Sequence, residues 1–108
     1  MTDKRVVLTT CGSAEEARRI AQELVERHLA ACVNIVPQIE SVYRWNDEVE
    51  SATEWLLLIK TTAEAFGRLR ETIATLHSYQ VPECVALAVE DGSAAYLNWI
   101  GSSVTLIS

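Results

Sequence analysis

Residues 33 to 61 constrain this chain most, because they form two long apolar-rich runs separated by a single turn signal. The first runs from Val33-Asn34-Ile35-Val36 through Ile39, Val42, Tyr43 and Trp45. The second runs from Val49 through Thr53, Trp55, Leu56, Leu57, Leu58, Ile59 and Thr61. Both are rich in β-branched and aromatic residues, and only Asn46-Asp47-Glu48 between them reads as a turn. A strand of about a dozen residues spans roughly 40 Å at about 3.3 Å per residue, whereas strands usually have about 5–6 residues. Such a hairpin must project beyond its own domain. Its edges and apolar side chains are an aggregation hazard unless another copy covers them, so the sequence predicts an obligate oligomer.

The chain has 108 residues, enough for one core, and a single domain over residues 1–108 is expected. No Pro/Gly/Ser-rich or charged tract marks a linker, and there is no internal repeat. Met1-Thr2-Asp3-Lys4-Arg5-Val6 lacks the apolar stretch of a secretory leader, and no apolar run approaches about 18 residues. No membrane partner and a cytoplasmic location are expected. Net charge is −6 and the pI about 4.8. The basic residues are scattered apart from Lys4-Arg5 and Arg18-Arg19, so no basic face for nucleic acid is expected. Cys11, Cys32 and Cys84 are an odd number with no CxxC pairing, which argues for reduced thiols over a disulfide framework or a structural zinc site.

Arg5–Thr10 reads as a short buried strand and Cys11-Gly12 as a turn. Ser13 with Glu16 forms a capping box before Ala17, Ile20, Ala21, Leu24, Val25 and Leu29 at helical spacing. After the hairpin, Thr61 with Glu64 gives a second capping box, and Phe66, Leu69, Ile73 and Leu76 mark a second helix. His77-Ser78-Tyr79-Gln80 connects to a last strand that Pro82 opens and that carries Val85, Leu87 and Val89. A third helix is expected over Ser93 to Ile100, and an extended piece from Val104 to Ile107. The order strand, helix, strand, strand, helix, strand predicts an α+β, ferredoxin-like split βαβ fold. Its antiparallel sheet has strand order 4-1-3-2, with the first two helices on one face and an apolar face that nothing in the chain covers. Cys11, His77, Glu83 and Cys84 then converge on one rim, with Cys32 at the opposite one.

The runs LAACVNIVP (Leu29–Pro37), SVYRW (Ser41–Trp45), EWLLLIKT (Glu54–Thr61), YQVPE (Tyr79–Glu83) and YLNWI (Tyr96–Ile100) strongly resemble CutA, the divalent-cation tolerance proteins, in order and spacing. The resemblance implies a ferredoxin-like subunit, a cytoplasmic homotrimer whose long hairpins wrap onto neighbours, and a link to copper and other divalent metals. It also implies likeness in architecture to the nitrogen-regulatory signal-transducing trimers, and no catalytic reaction. Against the family pattern, Asn46-Asp47 replaces a Glu-Gly pair, and Ser78 replaces the proline of a His-Pro-Tyr run. A cysteine that some copper-binding members carry at the end of the first strand falls on Thr9, and a second histidine falls on Leu76.

A metal site on this rim would draw on the Cys11 thiolate, a soft ligand for Cu(I), with His77, Glu83 and Cys84. Each also has a plainer reading. Cys11 suits a packed strand end, His77 a helix C-cap, and Glu83 a backbone acceptor; for Cys84 the direction it faces decides. Cys32 is expected in the core and His28 on the surface. Tyr43, Trp45, Trp55, Tyr79, Tyr96 and Trp99 are expected mainly at subunit contacts. Lys60 and Arg44 could bind an anion, though pairing with Glu54 or Glu48 is the simpler reading. There is no Gly-rich phosphate loop, GxSxG or HExxH, and no residue that orients a Cys11–His77 pair, so no enzyme is expected. The leading expectation is a homotrimer that binds copper or another divalent cation. The alternative is a signalling or scaffolding trimer whose intersubunit cleft takes a small anionic ligand or a partner protein.

Overall fold

In a computed structural model, residues 1–105 are described. β1 (Lys4–Cys11) leads through Gly12 and Ser13 into α1 (Ala14–Glu26), followed by the hairpin β2 (Cys32–Trp45) and β3 (Glu48–Thr62). α2 (Phe66–Leu76), β4 (Val85–Ala88) and α3 (Ala94–Ser103) complete the order. The strands form one sheet in the order β2-β3-β1-β4, antiparallel throughout, as the sequence predicts.

The hairpin is as long as its composition demands, 14 and 15 residues. Asn46 and Asp47 close it with φ of 52° and 65°, the pair of left-handed residues that a two-residue turn needs to match strand twist. β1 pairs with β3 only as far as Cys11↔Trp55. Beyond that point β3 has β2 alone, so about seven residues of ribbon, roughly 23 Å, stand clear of the rest of the sheet. A register shift between Val36 and Ile39, with Gln38 at φ 55°, bends the ribbon where it leaves the sheet.

Alternation along the strands sorts the two faces. Val7, Thr9, Cys11, Leu57, Ile59 and Thr61 point to α1 and α2 and are fully buried with Ile20, Leu24, Leu69 and Ile73. Each such aliphatic side chain contributes about 1.5–3 kcal/mol by leaving water. The opposite face carries Val36, Leu56, Leu58, Leu8, Val85 and Leu87, with Val36, Val85 and Leu87 exposed. This face is not wholly bare, contrary to expectation. α3 crosses its far end, where Tyr96 Oη lies 3.5 Å from Cys32 Sγ. A Cβ on Gly101 would sit 3.3 Å from Lys4 Nζ. Cys32 is accordingly half-buried against α3 and outside the core.

The second capping box is corrected. β3 runs on through Thr62, so Thr61 faces the helix layer and its hydroxyl donates to Leu29 O at 2.6 Å. Thr62 Oγ1 instead accepts from Ala65 N. Of the predicted terminal extended piece, Val104 is extended and Thr105 N donates to His28 O at 3.0 Å; Leu106 and Ile107 lie outside the described residues.

α1 stops at its Arg27 cap because His28 takes φ 59°, the left-handed position past a helix end that glycine favours. His28 is exposed, as expected. Substituting His28→Gly should therefore raise the unfolding free energy by about 1 kcal/mol, read as a higher melting temperature. A lower melting temperature would mean that the imidazole contributes more than its backbone costs.

Candidate metal centre and the cleft beside it

Cys11 closes β1 on the helix face, and His77 caps α2 directly above it, so the predicted rim forms at these two residues. Their Sγ and Nε2 atoms lie 3.8 Å apart. The third member is Glu16 of α1, which the sequence assigns to helix capping. Donor atoms of Cys11, Glu16 and His77 all lie within 4.8 Å of one another, the only such group of three among the described residues.

Hydrogen bonds fix the state of this cluster. His77 Nε2 donates to Thr10 O at 2.7 Å, and Nδ1 accepts from Tyr79 N at 3.1 Å. The imidazole is thus neutral with its proton on Nε2. Glu16 Oε2 accepts from Ser78 N at 2.8 Å, and Oε1 lies 4.0 Å from His77 Nδ1. Burial works to raise the Glu16 carboxyl, and the Ser78 hydrogen bonding works against it. Arg19, and His77 whenever it carries a proton, add to that effect, and the net shift is downward. Arg19 Nη2 also donates to Leu76 O at 3.0 Å. Glu16 and Arg19, one helical turn apart, thereby hold the end of α2 from α1. Ser13 Oγ does accept from Glu16 N, but the carboxylate of the expected box is turned to the other helix.

Cys11 is 0% exposed. Burial first, then the charges of Glu16 and Glu54, push its thiol up to about 12. Thr9 Oγ1, on the same sheet face, is buried without a hydrogen-bond partner. Thiol, imidazole and carboxylate are chemically suited to a copper- or zinc-like ion. They fit one only after the thiol loses its proton and His77 gives up one of its two hydrogen bonds.

Glu83 and Cys84, which lie just ahead of β4 (Val85–Ala88), are not part of this group of three. Cys84 packs against the core on the helix side, and burial raises its thiol. Glu83 faces the other side and lines an open cleft of about 630 Å³ between the standing part of the hairpin and residues 79–83. Tyr43, Trp45, Tyr79, Glu50 and Glu54 line it too. Glu54 accepts from Tyr79 Oη at 2.7 Å. Tyr79 passes so close to Gly12 that a Cβ there would lie 3.1 Å from Oη. Lys60 bonds to Asn34, not to Glu54.

The sequence pattern of the CutA1 divalent ion tolerance protein family matches residues 5–103. A divalent-cation tolerance protein CutA of Thermus thermophilus is 54% identical over 97 residues, which cover 90% of this chain and 94% of that protein. Its solved structure superposes with a TM-score of 0.93 at 51% identity, over 94% of this chain and 99% of that one. The solved periplasmic divalent cation tolerance protein CutA of Archaeoglobus fulgidus gives a TM-score of 0.91 at 40% identity, over 94% and 99% of the two chains. A CutA homolog of Xenopus laevis is 45% identical over 88% of this chain, which spans only 63% of that longer protein. The match extends from β1 through α3, the whole sheet and every helix that frames the cluster, and the chain belongs to the CutA1 divalent ion tolerance family.

Proposed function

We propose that this chain works as a homotrimer that binds a divalent cation, copper among the candidates, in tolerance to such ions, and that it binds without catalysing a reaction. The observation that supports this most is the approach of Cys11, Glu16 and His77 donor atoms to within 4.8 Å in a chain of this family. A thiolate and an imidazole select copper or zinc over magnesium or calcium. Uptake exchanges the Cys11 proton for the ion, so apparent affinity rises with pH. Glu83 lines the cleft and Cys84 packs against the core, so neither is counted among the ligands proposed for this ion. The trimer reading rests on the apolar open face and on Val42 and Val49 of the hairpin, which are 68% and 66% exposed. A cytoplasmic location, where thiols stay reduced, goes with three free cysteines, and no described helix is long and apolar enough to cross a membrane.

The alternative of a signalling or scaffolding trimer, taking a small anionic ligand or a partner protein in an intersubunit cleft, gains no support from the charge of the cleft within this chain. Glu50, Glu54 and Glu83 line it, and among the described residues no basic side chain does.

Anaerobic calorimetric titration with copper and with zinc tests the metal reading. Affinity should rise by about tenfold between about pH 6.5 and about pH 7.5. Cys11→Ala and Glu16→Gln should each weaken it at least about tenfold, since each removes a ligand or its charge. Unchanged affinity in both variants removes the site.

A further inference from the structure

We propose that ions reach the buried Cys11–Glu16–His77 cluster through a notch at the start of α1, and that the Arg19 side chain latches this entrance. The inference rests on the metal reading above, to which it adds the route and its control. Cys11 and the His77 side chain are 0% exposed, while the Glu16 side chain keeps 9%. Glu16 is also the member that reaches the surface. It lines an open notch of about 360 Å³ together with Ser13, Glu15 and Arg19. All four stand on α1 or just ahead of it, on the helix side of the sheet. None belongs to the hairpin or to the open sheet face, where copies of the chain are proposed to meet.

Arg19 spans this entrance from α1 to α2. Its Nη2 donates to Leu76 O at 3.0 Å and lies 3.6 Å from Glu16 Oε2. The same Glu16 oxygen accepts from Ser78 N at 2.8 Å. The guanidinium thus holds Leu76 directly and Ser78 through Glu16, the two sequence neighbours of His77. It also sets a positive charge beside the carboxylate that an entering cation meets first, so it competes for that carboxylate and repels the ion. This latch opens easily. The Arg19 side chain is 56% exposed, and an ion pair so placed adds little stability.

The test treats the full chain at about pH 8 with methyl methanethiosulfonate, a small uncharged reagent for thiolates. Peptide mass spectrometry reads each cysteine separately. Arg19→Gln should speed labelling of Cys11 about fivefold, by easing a local opening. Cys84, which packs on the same core without lining the notch, should keep its native rate. Losing the charge alone works the other way, since Arg19 favours the Cys11 thiolate; a faster reaction therefore reports access. Arg19→Lys, which keeps the charge, should stay within about twofold of the native rate. Zinc uptake, followed by stopped flow against a coloured chelator, should quicken in Arg19→Gln by a factor similar to that for Cys11. An unchanged Cys11 rate overturns the route, as does equal acceleration at Cys84, which would mean general loosening. If the native chain binds no zinc while Cys11 alone labels faster in Arg19→Gln, the route stands and the metal reading falls. If zinc enters both forms at the same rate, the metal reading stands and the route falls.

Discussion

Replacing His77 by alanine is expected to cost about 3 kcal/mol of unfolding free energy, measured by urea denaturation. The ring is the joint between β1, α2 and the segment leading to β4. Its side chain is fully buried, and it bonds to Thr10 O and Tyr79 N at once. It packs against the Tyr79 ring at a tilt of 46°, with centroids 4.6 Å apart. Truncation leaves a cavity beside Cys11 and strands one carbonyl and one amide, each costing about 1–3 kcal/mol where water cannot enter. Glutamine can donate from its amide nitrogen and accept at its amide oxygen, so His77→Gln should recover part of the loss. A loss below about 1 kcal/mol for His77→Ala would show that water reaches the gap and that the joint is softer than its bonds imply. The Tyr79–Glu54 bond at the cleft hangs from the same segment, so His77→Ala should also loosen the cleft wall.

The architecture was legible in the sequence because its strongest signals are local. Period-two runs flank Asn46-Asp47, period-3.6 runs follow Ser13 and precede His77, and one topology joins them. That topology brings Cys11 and His77 together from 66 residues apart. Glu16 escaped notice because a nearby explanation was available: Ser13 and Glu16 satisfy a capping pattern, while the carboxylate's partner is Ser78, 62 residues on. No local pattern encodes a contact of that range. Topology puts Glu83 and Cys84 on the same rim, but it does not say which way each faces, and in the structure Glu83 lines the cleft while Cys84 packs against the core. The placement of α3 on the open face was also hidden, since Tyr96, Leu97 and Trp99 mark an apolar helix without saying which surface receives it.

Raising the pH from about 9 to about 12 should destabilise this protein steeply, and Cys11→Ala should remove a large part of that slope. Burial, reinforced by the Glu16 and Glu54 charges, lifts the Cys11 thiol from 9.0 to about 12 in the folded chain. Above pH 9 the unfolded chain releases this proton and the folded chain retains it. The stabilisation is therefore complete below pH 9 and is lost as pH rises through about 12. At about 1.4 kcal/mol per unit, the loss from this one group is on the order of 4 kcal/mol at most. Burial, followed by the Glu54 bond, raises the Tyr79 hydroxyl as well, and burial raises Cys84, so alanine at Cys11 should flatten the curve without levelling it. Urea midpoints measured across this range for the native chain and for Cys11→Ala provide the comparison, and parallel curves would sink the assignment. The same retained proton would govern the candidate metal centre. A thiol this reluctant to ionise competes with any ion that enters, so a cation bound near neutral pH must supply the free energy to expel that proton from the core.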